Sequence, residues 1–144
     1  MLTLEELIAD IESAGNKYAM RFEPHVFDRT QSSTRYGVMV NIARARNKCS
    51  RDTARVIIST SWGKFQIMGF NLYDPASLDY PSSVGQYMAT DTDQAETFKT
   101  FCLNKGIYFS ISDLLDEALA LRFARTYNGA DEYAKKIMSR LATS

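Results

Sequence analysis

Apolar residues recur at helical spacing along most of this chain, in short segments that each carry their own start and stop signals. Thr3 with Glu6 reads as a capping box; Leu4, Leu7, Ile8 and Ile11 follow on one face, and Gly15 stops a helix expected over 3–14. Tyr36 to Lys48, with Val38, Met39, Ile42 and Ala43, reads the same way, and Ser50 opens another segment running to about Ile58. Four more helical patterns follow: 83–90, 92–105 ended by Gly106, 112–127 opened by Ser112 and ended by Gly129, and 131–142 opened by Asp131. Strand-like alternation is confined to Asn16–Phe27, where Tyr18, Met20 and Phe22 alternate with more polar neighbours before Pro24, so a short strand or hairpin is expected there. Asn71–Ser83 contains Pro75 and Pro81 and reads as loop. The pattern specifies a predominantly α, α+β domain with a small extended region after the first helix.

At 144 residues, with no internal repeat, low-complexity tract or linker, the chain is expected to be one domain spanning 1–144. A hydrophobic fraction of 45% is enough to build a core, which excludes a disordered chain. Seventeen Lys plus Arg against seventeen Asp plus Glu gives no net charge. That argues against a nucleic-acid-coating protein, whose affinity comes from neutralising phosphates, and leaves neutral ligands such as sugars open. Cys49 and Cys102 have no metal-ligand spacing, so both are read as reduced thiols. The first residues carry no basic leader and no segment is apolar for about 18 residues, so neither a secretory signal nor membrane insertion is expected. With no phosphate loop and no His/Cys/Asp cluster, no metal or cofactor is expected either.

Glu12 is the most informative single residue. It follows Ile11 by one position and Ile8 by four, at the C-terminal end of an amphipathic helix. The negative end of the helix and the apolar neighbours both disfavour a carboxylate there, so its pKa is expected to rise toward neutrality, as a general acid requires. A lone Glu at a helix end is more often a solvated surface group.

Three blocks, taken in order, give Glu12 company: Glu12-Ser13-Ala14-Gly15, Ser61-Trp62-Gly63-Lys64-Phe65-Gln66-Ile67-Met68-Gly69, and Ala124-Arg125-Thr126-Tyr127-Asn128-Gly129. They resemble the lysozyme-like superfamily that includes goose-type lysozymes and soluble lytic transglycosylases. Arg21-Phe22-Glu23-Pro24-His25-Val26-Phe27, together with the long run from Ser59 to Asn71, narrows the resemblance to the N-acetylmuramidase family of phage endolysins. The resemblance implies a lysozyme-like fold with Glu12 as proton donor. It further implies cleavage of the β-1,4 bond between N-acetylmuramic acid and N-acetylglucosamine. It places Ser13, Ser61, Phe65, Gln66, Tyr127 and Asn128 at the substrate. The partner it implies is a peptidoglycan glycan strand, met by a monomer that is made in the host cytoplasm and reaches the wall after release or as part of a virion. A separate wall-binding module, frequent in relatives, has no room here.

The stretch between Glu12 and Glu23 is shorter than in typical relatives. Glu23, with Asp28 behind it, is the candidate second carboxylate, either activating water or acting as nucleophile. Alternatively Glu23 pairs with Arg21 structurally, and the substrate's own acetamido group assists, giving a 1,6-anhydro product as in lytic transglycosylases. A non-catalytic wall-binding virion protein is a more distant reading. For Gln66 the alternative to a sugar contact is a loop tie; for Tyr127, a core tyrosine; for Asn128, a helix C-cap; for Trp62, packing behind the cleft. His25 is read as structural. Arg44, Lys48, Arg51 and Arg55 recur at steps of four, three and four, and would form one basic stripe on a continuous helix facing an anionic wall.

Overall fold

The computed structural model describes residues 2–77 and 79–144. Helix α1 (Leu4–Ser13) opens with the expected capping box: Glu6 N–H donates to Thr3 Oγ1 at 3.1 Å, and Thr3 N–H donates to Glu6 Oε2 at 3.0 Å. Ala14 and Gly15 leave it in the left-handed region, at φ 52° and 79°. Strand β1 (Met20–Phe22) is followed by helices α2 (Pro24–Arg29), α3 (Thr34–Asn47) and α4 (Arg51–Ile58). Strands β2 (Thr60–Trp62) and β3 (Ile67–Met68) follow, then α5 (Gly69–Leu72), α6 (Val84–Ala89), α7 (Asp91–Asn104), α8 (Ile111–Leu114), α9 (Glu117–Tyr127) and α10 (Glu132–Ala142). The three strands form one antiparallel sheet in the order β1-β2-β3, with Met20 opposite Trp62 and Trp62 opposite Ile67.

The apolar faces anticipated from the spacing meet in one core. Leu7 and Ile8 of α1, Met39 and Ala43 of α3, Ile58 of α4, Phe98 and Cys102 of α7, Phe123 of α9 and Ile137 of α10 are all essentially sealed from solvent. Between α4 and α5 the backbones approach so closely that Gly69 is required: a Cβ there would stand 1.9 Å from the Ile57 carbonyl oxygen.

Four expectations are corrected. The 16–27 hairpin is a single strand followed by helix α2, because Pro24 begins a helix rather than ending a strand: it sits at N1, where a missing N–H costs nothing. The partner of β1 is β2, the first strand of a 60–68 hairpin hidden by its run of serine, tryptophan and glycine. The helix expected over 112–127 is two: Ser110 and Asp113 form a capping box on α8, and Asp116 starts α9 by accepting from Ala118 N–H at 2.8 Å and Leu119 N–H at 3.3 Å. The basic stripe does not exist. Lys48, at φ 51°, closes α3 before α4 begins, and the Arg55 side chain turns inward. The loop expected over 71–83 starts two residues late, since α5 ends at Leu72; Leu78 within it lies outside the described residues.

Candidate active site

A cleft of about 380 Å³ opens between the end of α1, the small sheet, α2, α3 and the end of α9. Glu12, in the last turn of α1, and Glu23, the residue before α2, both face it. Burial pushes the Glu12 carboxyl up to about 7 from the usual 4.5, outweighing the Tyr133 hydroxyl, Lys136 and Arg21, which favour the charged form. The last turn of α1 carries no basic residue that would offset the negative helix end. Tyr133, from α10, is 3% exposed; its hydroxyl lies toward the Glu12 carboxyl and closes no hydrogen bond among the described residues.

Glu23 is held from both sides. Its backbone N–H donates to the Ser59 carbonyl at 2.8 Å, which continues the β1–β2 pairing and fixes where the side chain leaves the chain. Its carboxylate receives Arg21 Nε at 3.1 Å and lies 3.8 Å from His25 Nδ1. The pairing with Arg21 weighed from the sequence therefore exists, while the carboxylate still opens onto the cleft. His25 lines the cleft beside it, and Asp28 is exposed on α2 outside the lining.

The other candidates are bound mostly to one another. Gln66 takes φ 49°, a left-handed conformation rare for a residue with a Cβ, and its side chain explains how that is sustained. Its amide donates to the Gly63 carbonyl at 3.0 Å and the Ala19 carbonyl at 3.2 Å, and its Oε1 accepts from Ser61 Oγ at 2.7 Å. Both amide donors are thus committed to the loop, leaving Oε1 as the atom with acceptor capacity to spare. The Ser13 hydroxyl lies 2.7 Å from the Lys64 carbonyl and 3.1 Å from that of Ala9, tying the end of α1 to the same loop. From the opposite side, the buried Gln94 accepts from Lys64 N–H at 2.8 Å and donates to the Lys17 carbonyl at 2.9 Å. Phe65 is 2% exposed and stacks on Phe98 with ring centres 4.3 Å apart, so its ring is core and unavailable to a ligand. Tyr127 lines the cleft with a ring packed on Phe98, Phe101 and Phe123, and donates its hydroxyl to the Phe65 carbonyl. Asn128 caps α9 through its backbone N–H to Ala124 at 2.9 Å; its side chain reaches the cleft and makes no hydrogen bond among the described residues. Trp62 donates Nε1–H to the Ile57 carbonyl at 3.0 Å and packs on the core, outside the lining.

The family model described as Muramidase, N-acetylmuramidase, matches residues 42–144. The chain is 40% identical, over 140 residues, to a protein named endolysin from Enterobacteria phage PRD1, an alignment covering 94% of this chain and 92% of that protein. The chain belongs to the N-acetylmuramidase family. No solved structure matches it. The family match begins at Ile42 and so contains the Ser61–Gly69 and Tyr127–Asn128 blocks, whereas Glu12 and Glu23 precede it; the alignment with the phage protein extends over most of the N-terminal third as well.

Several cleft residues of this family member were not singled out as site candidates by the sequence. Arg21 and Arg29 reach the cleft from β1 and α2, and Tyr36 and Phe70 from α3 and α5, their rings meeting edge-on at 5.6 Å. Tyr133 lies 121 positions from Glu12, and only the packing of α10 on α1 brings them together.

Proposed function

We propose that this member of the family is a peptidoglycan-degrading endolysin. It cleaves the β-1,4 bond between N-acetylmuramic acid and N-acetylglucosamine, with Glu12 as general acid. The observation that carries the reading is the Glu12 carboxyl, partly buried in a cleft wall and raised to about 7, so that a proton is still held near neutral pH. Glu12 donates that proton to the glycosidic oxygen as the bond breaks and the sugar gains oxocarbenium character. The resulting carboxylate is supported by the Tyr133 hydroxyl, Lys136 and Arg21.

In this reading Glu23, which lines the same cleft, activates the attacking water, which yields a reducing-end muramic acid. A second reading is favoured by the occupancy of its oxygens, one facing Arg21 and the other His25. There the substrate's acetamido group assists and a 1,6-anhydro product forms. The protein works as a monomer on a glycan strand, without a metal, after release from the host cytoplasm to the wall; no helix among the described residues is long and apolar enough to cross a membrane. The test is Glu12→Gln in a turbidity assay on cell walls. A folded variant should lose about 10²–10⁴-fold in rate, and lysis at the wild-type rate overturns the assignment. Mass spectrometry of the wild-type digest then separates reducing-end from anhydro products.

A further inference from the structure

The charges in the cleft do not balance pairwise. Glu23 is taken up by Arg21 and faced by His25, and Glu12 holds its proton near pH 7. Arg29 remains: it lines the same cleft, its side chain makes no hydrogen bond, and no carboxylate of the described residues stands within 4.0 Å of it. Its neighbours in the lining, Tyr36 and Phe70, present a partly exposed aromatic pair of the kind a sugar ring packs against.

The backbone that carries Arg29 is fixed with unusual care for a six-residue surface helix. Arg55, 7% exposed, donates Nε–H to Thr30 Oγ1 at 2.7 Å and stacks its guanidinium over the Phe27 ring at 4.1 Å from the centroid. Thr30, itself 1% exposed, donates to the Phe27 carbonyl at 2.6 Å. A buried arginine thus bolts the end of α2 to α4, and the unpaired Arg29 is one of the two residues between the bolted positions Phe27 and Thr30. The planar fork of a guanidinium matches a carboxylate in two parallel hydrogen bonds, which an ammonium does not reproduce.

We propose that Arg29 binds a carboxylate carried by the muramyl sugar, so that the cleft selects muramyl glycan over neutral N-acetylglucosamine polymers. The carboxylate belongs either to the 3-O-lactyl group of a peptide-free strand or to the stem peptide attached there. The proposal rests on the glycan reading above, and binding tests it separately from cleavage. In the Glu12→Gln background, calorimetry compares a neutral β-1,4 N-acetylglucosamine hexamer, a peptide-free muramyl-containing hexamer and its peptide-bearing counterpart. With Arg29 in place, a carboxylate-bearing ligand should bind about tenfold tighter than the neutral one, less so at high salt. Adding Arg29→Gln should bring the two affinities together, and Arg29→Lys should restore part of the gap. Loss with the peptide-free ligand assigns the lactyl carboxylate; loss confined to the peptide-bearing ligand assigns the stem. Equal affinities before the substitution, or a preference that survives it, overturn the proposal. Cleavage by Glu12→Gln itself overturns the catalytic assignment and leaves this comparison intact.

Discussion

Glu12→Gln separates the charge of the Glu12 carboxyl from its shape, and stability is where the difference should be largest. In the folded protein the group titrates at about 7, against 4.5 when unperturbed. Below 4.5 both the folded and unfolded chains hold the proton, and folding costs nothing at this site. Above 4.5 the unfolded chain ionises while the folded one resists, so each pH unit up to about 7 removes stability and the loss then levels off. From 4.5 to about 7, at about 1.36 kcal/mol per pH unit, the native state forfeits about 3 kcal/mol. Glutamine keeps the form of the protonated acid and cannot ionise. The variant should therefore match the wild type at pH 4 and exceed it by about 3 kcal/mol at pH 8. Urea unfolding followed by circular dichroism at pH 4, 6 and 8 reads this directly; with a slope of about 1–3 kcal/mol per molar, the midpoint at pH 8 should move up by roughly 1–3 M. A stability difference independent of pH, or a variant weaker than wild type at pH 8, refutes the premise that burial raises this carboxyl. The same substitution that is expected to slow lysis should thus strengthen the fold, as when a site stores a destabilised group for its chemistry.

Tyr133→Phe removes a buried hydroxyl that favours the Glu12 carboxylate and has no hydrogen-bond partner, so the alkaline limb of the kcat/KM profile should move to higher pH while thermal stability holds or rises by about 1 kcal/mol. An unmoved limb would show that the hydroxyl does not act on Glu12. Gly69→Ala drives a Cβ to 1.9 Å from the Ile57 carbonyl oxygen and 2.6 Å from the Ile58 Cα, both backbone atoms that cannot turn aside. Its cost should exceed about 3 kcal/mol, seen as a large drop in Tm or failure to accumulate folded protein; a near-neutral Tm would contradict the close approach of α4 and α5.

How much of this was legible in the sequence depends on how local the cause is. Helices α1, α3, α4, α6, α7 and α10 announce themselves because cap and apolar stripe lie within one segment, as with Thr3, Glu6 and Leu7. The break between α8 and α9 escapes because Leu114 and Leu115 continue an apolar run through Asp116, and only the structure shows that aspartate accepting from Ala118 and Leu119. The raised pKa of Glu12 was readable from its place at a helix end among isoleucines. The groups that tune it were not, since Tyr133 and Lys136 come from the last helix.

The motif blocks illustrate a different limit. Sequence marks Ser13, Phe65, Gln66 and Tyr127 as belonging to the site, but not where each hydrogen bond goes, and much of their bonding goes to the loop between β2 and β3. Ser13 holds Lys64, Tyr127 holds Phe65, Gln94 holds Lys64 from the far side, and Gln66 holds its own strained turn. These ties have a chemical consequence. A helix end normally frays, and a frayed α1 would let water reach Glu12 and return its carboxyl to the ordinary range. By fastening Ser13, the residue next to Glu12, to a loop that is itself pinned from three directions, the fold keeps the last turn of α1 closed. The ties within this loop thereby help keep the Glu12 carboxyl protonated.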